Sequence, residues 1–243
     1  MQQHVLLNHR DHADLRIVDD FTTEFETGVN CSMVFTTEFR DIQSEFPIFF
    51  QKNPQTGAFY AVALFGLEPS ENLFLNKDGW DGDYVPMMLQ KQPFFIGNAK
   101  ANDSQKKDSK AESSMVVTMD PASPRISKTD GHKLFNPDGS ATEFLAKKMD
   151  VLERVHQGNQ HTEDFVAALV EHQLLEQFVL ELNLHDGSTK QMLGFYTLKE
   201  EAVQALKGDV LETFSEKGFL MPLFMVLASH ANVRELIRRK TGF

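Results

Sequence analysis

Cysteine is almost missing from this chain. Cys31 is the single one in 243 residues, so no internal disulfide forms, and a reducing, cytoplasmic setting is expected. Tryptophan is as scarce, with Trp80 alone beside three tyrosines, which argues against a base-stacking platform for nucleic acid. Positive charge is short as well. The chain has 24 Lys and Arg against 35 Asp and Glu, a net charge of −11, and an acidic surface repels phosphate backbones and anionic membranes alike. Long apolar runs are missing too. The longest, residues 219–228, contains Pro222 and is about half the length a membrane-spanning helix needs, so no membrane insertion is expected. The opening MQQHVLLNHR lacks the basic-then-apolar order of a secretory leader. Also absent are G-x-S-x-G, the P-loop and G-x-G-x-x-G, which lowers the odds of the common hydrolase, NTPase and dinucleotide-binding designs.

What the chain does have is phenylalanine, 21 of them in a composition that is 41% hydrophobic. Phe carries no polar handle, so this bias points to core filling or an apolar contact surface. Residues 45–97 organise the rest. Two apolar runs, 46–51 and 58–67, face each other across Lys52-Asn53-Pro54-Gln55-Thr56-Gly57. Pro54 presets a turn and Gly57 supplies a positive φ at its exit, the chemistry of a longer hairpin loop. Shorter runs at 72–75 and 93–97 bring the stretch to about four strands, enough for a small sheet.

Elsewhere strands are expected at 15–18, 31–36 and 115–119, with a short helix after Thr37. Ser140-x-x-Glu143, Thr197-x-x-Glu200 and Asp209-x-x-Glu212 are capping boxes that predict helix starts, and Thr162 is read as the cap of a further helix. Alternation from Phe178, followed by Asp186-Gly187, predicts a hairpin over 178–197. Residues 219–230 read as a nearly all-apolar helix, buried in the core of this chain, with coverage by another chain as the alternative. The expected fold is α+β. Its antiparallel sheet comes mainly from the N-terminal half plus the 178–197 hairpin, and its helices lie mainly in the C-terminal half. Because the hairpin is expected to rejoin that sheet, one domain over 15–243 is expected, with a flexible tail at 1–14. Residues 98–114 contain no large apolar side chain and read as a mobile internal loop.

Chemistry candidates are sparse. Three His-x-Asp/Glu triplets open at His9, His12 and His161, and that triplet with a distant His is the ligand set of non-haem iron enzymes. His9, Asp11, His161 and Glu163 are thus the candidate iron ligands, against the plainer reading of solvated or capping histidines; no cofactor is the main expectation. Asn76, Asp78, Asp81 and Asp83 supply oxygens but miss the calcium-loop spacing, and a tight acidic turn fits better. Cys31 sits among apolar neighbours and reads as a small buried residue rather than a nucleophile. Ser104 and Lys107 match a dyad spacing but lie in the loop expected to be mobile. Trp80, flanked by glycines, reads as a loop residue suited to partner contact, with packing down onto the sheet as the alternative.

The runs EFPIFF, ALFGLEPSENLFLNKDGWDGDYVP and QPFF carry a resemblance, continued by TMDPASPRIS, GHKLFNPDGSATEFL, GFYTLKEEAVQAL and GFLMPLFMVLASHANVREL. From about Leu15 onward the chain resembles the SapC family of bacterial proteins. The resemblance implies no established activity and no catalytic residues to carry over. It implies company instead: family members are encoded beside TonB-dependent receptors, halogenase-like flavoproteins and cupin-like oxygenases, and the family name derives from a surface-layer gene cluster. The expectation is a soluble, cytoplasmic, non-catalytic accessory or binding protein with a protein partner, contacting it through Trp80, Phe94 and Phe95. The alternatives are a metal-dependent oxygenase-like enzyme on a β-rich scaffold and a surface-layer or secretion component. The oligomeric state is not legible.

Overall fold

A computed structural model describes residues 4–22, 29–98, 115–183 and 189–242. Its strands are β1 (Val5–Leu6), β2 (Arg16–Ile17), β3 (Cys31–Met33), β4 (Ile48–Lys52), β5 (Phe59–Leu64), β6 (Leu75–Asn76) and β7 (Gly79–Trp80). They continue with β8 (Phe94–Asn98), β9 (Met115–Met119), β10 (Ile126–Ser127), β11 (His132–Lys133), β12 (Leu175–Asn183) and β13 (Thr189–Leu198). The helices are α1 (His9–His12), α2 (Phe39–Ile42), α3 (Met87–Gln90), α4 (Glu143–Glu171), α5 (Glu200–Gln204), α6 (Gly208–Glu216), α7 (Leu220–Ser229) and α8 (Val233–Thr241), with a 3₁₀ turn at His230–Asn232. The fold is α+β, and every described strand pair is antiparallel. Chain contacts gather into two compact units, Met1–Phe21 with Leu89–His156, and Thr22–Met88 with Gln157–Phe243.

The first unit holds two three-stranded sheets, ordered β1-β9-β8 and β10-β2-β11. Its core is Ile17, Phe94, Met119, Leu134, Leu145 and Leu152, with Val5 and Leu7 packed against it. The expected flexible tail is therefore corrected from His4 onward. Val5 pairs with Met119, Leu6 pairs with Thr118, and the Leu7 amide donates to the Val117 carbonyl at 2.9 Å. Two buried cations are held by oxygens. Arg125 donates to the Val18 and Asp20 carbonyls at 3.2 and 2.8 Å, and Lys148 donates to Asp19 and to the Gln90 carbonyl, both at 2.6 Å. Lys91 is 5% exposed and has no such carboxylate among the described residues. Its Nζ lies 3.8 Å over the Phe95 ring and 3.5 Å from the Phe94 carbonyl, and burial pushes its pKa down from 10.5 to about 8.

The second unit is built on a five-stranded sheet ordered β12-β13-β4-β5-β3. The 178–197 hairpin joins β4 there, with Phe195 opposite Gln51 and Tyr196 opposite Phe50. Leu193 and Gly194 together oppose Val179, and Gly194 takes φ +87°, so a β-bulge bends β13. Its Asp186-Gly187 turn lies outside the described residues, as do residues 99–114 of the expected mobile loop, including Ser104 and Lys107. Stretch 45–97 does not make one sheet. β4 and β5 enter the five-stranded sheet, β6 and β7 pair with each other, and β8 belongs to the first unit. β4 is apolar on both sides because both are covered: Phe49 meets Phe178 and His230, while Phe50 meets Phe165 of α4.

The predicted caps are corrected by tertiary partners. α4 starts at Glu143, after Thr142, whose hydroxyl accepts the Leu145 amide at 3.3 Å. Ser140 instead donates its amide and hydroxyl to Asp138 at 3.0 and 2.7 Å. Thr162 starts no new helix, since α4 runs through it. Its hydroxyl donates to the Gly158 carbonyl at 2.6 Å and accepts the Thr36 amide at 2.9 Å. Thr197 stays in β13 and bonds His230 Nε2 at 3.0 Å. Asp209 is already inside α6, whose N-cap Lys207 makes no side-chain cap bond. The expected glycine stop does form. Gly218 takes φ +72°, Phe219 N–H reaches the Phe214 carbonyl at 2.8 Å, and the two rings meet at 5.8 Å.

Gly158 allows α4 to approach the chain after β3. A Cβ there would lie 2.6 Å from Thr37 Oγ1 and 2.9 Å from Phe35 Cβ. Helix propensity alone favours Gly158→Ala by about 1 kcal/mol, but the overlap costs about 1–3 kcal/mol. Net destabilisation is expected as a lower denaturation midpoint; a raised midpoint would show that this contact has slack. Lys91 gives a second test. Its folded pKa lies below its unfolded value, so the unfolded chain holds the proton more tightly and stability rises with pH between about 8 and 10.5. Lys91→Met should raise the unfolding free energy at pH 7, by on the order of 3 kcal/mol at most, and flatten the alkaline slope. An unchanged slope contradicts this account.

Candidate functional site

The segment after β3 reads Val34-Phe35-Thr36-Thr37-Glu38. Val34 and Phe35 are buried, and so is Glu38. The Glu38 carboxylate survives burial by accepting the Phe35 amide at 3.2 Å, the Tyr84 hydroxyl at 2.9 Å and the Met87 amide at 2.9 Å. That anchor fixes where α2 begins. Phe39 and Ile42, three apart, turn inward, and Arg40 between them is exposed. α2 packs on α7.

Thr36 ties this turn to α4. Its hydroxyl lies 2.6 Å from His161 Nδ1, and His161 Nε2 lies 3.2 Å from the Lys217 carbonyl. A carbonyl only accepts, so Nε2 carries a proton directed at Lys217, and both ring nitrogens are engaged. Thr36, Thr37, Arg40 and His161 line one side of a pocket of about 330 Å³, and Met221, Pro222 and Met225 line the other.

α7 reads LMPLFMVLAS. Pro222, Leu223, Met225, Val226 and Ser229 are buried, as expected for a core helix. The opposite side is not polar: Met221 and Phe224, three residues apart, are 55% and 56% exposed. Sequence reasoning left open that another chain covers this helix, but it did not place Arg40 and the pocket beside Met221. The signal for the outward pair was present, because an all-apolar helix at a unit's periphery leaves apolar residues on its outer side.

Other concavities of this unit include two that bear on the predicted residues and on ligand binding. A half-open cleft of about 790 Å³ runs between β5 and the C-terminal part of α4. Met33, Phe35, Phe59, Val166 and Val170 give it apolar walls, and Lys52 and Glu171 stand on its rim. Trp80 edges a more polar cleft of about 420 Å³ with Glu45, Asp81, Asp83 and Arg239. Its indole packs against Phe46, Phe65 and Phe74 with centroids at 5.9, 5.4 and 6.0 Å, and Nε1 donates to the Tyr84 carbonyl at 2.9 Å. Trp80 is thus half-buried and packed down, leaving one side toward the cleft.

The other predicted residues fall as follows. Phe94 is fully buried in the core of the first unit, which corrects its assignment as a contact residue: a ring with no exposed surface has nothing to offer a partner. Phe95 is half-buried, stacked by His4 at 4.2 Å and capped by Lys91. His9 packs edge-on to Phe135 at 5.4 Å, and Asp11 accepts the Asn8 side-chain amide at 2.9 Å. Glu163 accepts from Asn159 at 2.7 Å, and His161 is engaged as described. Among the described residues no three His, Cys, Asp or Glu side chains group closely enough to hold a metal, so the iron-ligand reading gains no support. Asp78 and Asp81 are likewise spoken for, the first by its amide on Asn76 and the second by Arg239 at 2.7 Å. Burial pushes the Cys31 thiol up to about 11, so it is a neutral thiol at physiological pH. Burial also pushes His230 below the ordinary imidazole range, where it serves as a neutral packing partner of Phe49.

Comparison with known proteins gives one match. The family model described as SapC covers residues 7–236. No curated protein and no solved structure matches the chain.

Proposed function

The chain belongs to the SapC family, and on that footing we propose that it is an accessory protein that docks onto a protein partner through the outer side of α7. The observation that carries this reading is the pair Met221 and Phe224, each more than half exposed on a helix whose other side is core. Exposed large apolar side chains lose their hydration cost when a second surface covers them. Aromatic, Met and Arg side chains are also the types enriched where binding energy concentrates, and Arg40 lines the same pocket as Met221. Chemistry elsewhere in the unit is quiet: Cys31 is protonated and His161 is saturated by its neighbours. In this reading the partner is an enzyme or uptake system encoded nearby, halogenase-like, cupin-like or a TonB-dependent receptor, and the setting is the cytoplasm. The net charge of −11 disfavours nucleic acid as partner. No described helix is long and apolar enough to cross a membrane.

A second reading has its own observation. The cleft between β5 and α4, at about 790 Å³ with mainly apolar walls, is within the size range of small-molecule sites. Carrying an apolar ligand there is compatible with docking through α7, since the lining residues of the cleft do not include α7.

The test is a charge placed on the outer side. Phe224→Asp alters a residue 56% exposed, so the fold should persist by circular dichroism. A partner that co-purifies stoichiometrically with the unaltered chain from its native host should be lost by about 30-fold or more, the effect of removing one hot spot. Retention of that partner at unchanged affinity by a Met221→Asp/Phe224→Asp double variant sinks the proposal.

A further inference from the structure

We infer that the docking partner presents a carboxylate next to an apolar side chain, and that the carboxylate seats against Arg40 in the pocket between α2 and α7. This inference rests on the docking reading above and specifies the chemistry of what docks. The charge pattern is its starting point. Arg238 and Arg239 are paired with Glu235, Arg239 also with Asp81, and Lys240 lies against Glu68 and Glu71. Arg40, by contrast, makes no ion pair, side-chain hydrogen bond or ring contact among the described residues. A free guanidinium on a chain of net charge −11 is a local positive spot in a repelling field. Arg234 is likewise exposed and unpaired among the described residues, but Arg40 differs in lining the pocket that Met221 also lines, so an anionic group drawn to it arrives beside an exposed apolar side chain.

The pocket adds directionality. Arg40 offers a planar fork that matches a carboxylate with two parallel hydrogen bonds. Thr37, three residues before Arg40, also lines the pocket, and its amide makes no hydrogen bond among the described residues. His161 offers no free ring nitrogen to compete, because Nε2–H points to the Lys217 carbonyl and Nδ1 is engaged with the Thr36 hydroxyl. The facing wall is Met221, Pro222 and Met225. At about 330 Å³ the pocket takes one carboxylate on a short aliphatic stem, and a neighbouring apolar side chain is left to cover Met221 and Phe224. An acidic residue beside an apolar one, on a segment of the partner, meets both requirements at once. A purely apolar partner would leave Arg40 desolvated and unpaired, which is costly.

The probe is a pair of capped dipeptides, N-acetyl-Leu-Glu-amide and N-acetyl-Leu-Gln-amide, titrated into the isotopically labelled full chain and followed by NMR. The Glu peptide should shift the Thr37 amide and the Met221 and Met225 methyls. At low salt it should bind about five-fold tighter than the Gln peptide, the size expected of one exposed charge-assisted contact, and added salt should close the gap. Arg40→Gln should abolish the preference, and Arg40→Lys should keep part of it, retaining charge without the fork. Equal affinity of the two peptides, no binding of either at millimolar concentration, or shifts confined to other residues each overturn the inference. Its failure separates from that of the docking reading. If Phe224→Asp loses the native partner while Arg40→Gln binds it as well as the unaltered chain does, docking stands and the carboxylate is wrong.

Discussion

The working side of the second unit depends on how closely α4 approaches the turn after β3. At Gly158 there is no side chain, and Thr37 Oγ1 and Phe35 Cβ occupy the space one would need. One turn further on, Thr162 accepts the Thr36 amide and His161 Nδ1 lies in hydrogen-bond contact with the Thr36 hydroxyl. Backbone groups that a sharp turn leaves unpaired are therefore satisfied from a neighbouring helix. If α4 stood farther off, Thr36 would lose its partners, and the start of α2 would lose its definition. The position of Arg40 relative to α7 follows from this contact. His161 extends the same link to the end of α6 through the Lys217 carbonyl, next to the glycine stop that aims α7.

Glu38 reinforces the turn from the other side. A buried carboxylate is destabilising unless donors replace its lost water, and here two amides and a phenol do so. Two of those donors, Tyr84 and Met87, come from a segment well separated in sequence. The turn is thereby held between α4 on one side and residues 84–87 on the other, both through hydrogen bonds with defined direction. Apolar packing alone tolerates sliding, whereas such bonds do not. A rigid mount of this kind suits a binding surface, because less freedom is lost when a partner settles on it.

Much of this was legible in the chain. Alternation and turn residues gave β4, β5 and the late hairpin, because a strand with covered faces writes its burial into its own side chains. The continuous run Ile48-Phe49-Phe50 announced a strand buried on both sides. What failed were inferences from hydroxyl residues. Thr162, Thr197 and Ser140 each stand where a cap would stand, yet each bonds a group remote from the predicted helix start or held in a local turn. A hydroxyl records only that some backbone or ring atom needs a partner, and local spacing does not say which. The same limit applied to the histidines, whose His-x-Glu spacing at 161–163 hides two unrelated errands, one to Thr36 and one to Asn159. Phe94 failed for a related reason. Position next to a turn suggested exposure, but strand alternation decided that its ring faces the core and that of Phe95 faces away.

The phenylalanine bias ties these points together. Most of the described rings are used inside the two units: Phe165, Phe214 and Phe219 meet one another, and Phe46, Phe65 and Phe74 surround Trp80. A core that recruits so many identical, unbranched rings has no shortage of apolar surface, so stability gives no reason to place another one outside. Phe224 stands outside nonetheless, on a helix whose inner side is already filled by Leu223 and Val226. A polar residue at that position would cost the core nothing and would improve solubility. That an aromatic ring stands there, one turn from an exposed Met221 that shares a pocket with Arg40, is the strongest physical argument that this side of α7 is meant to be covered.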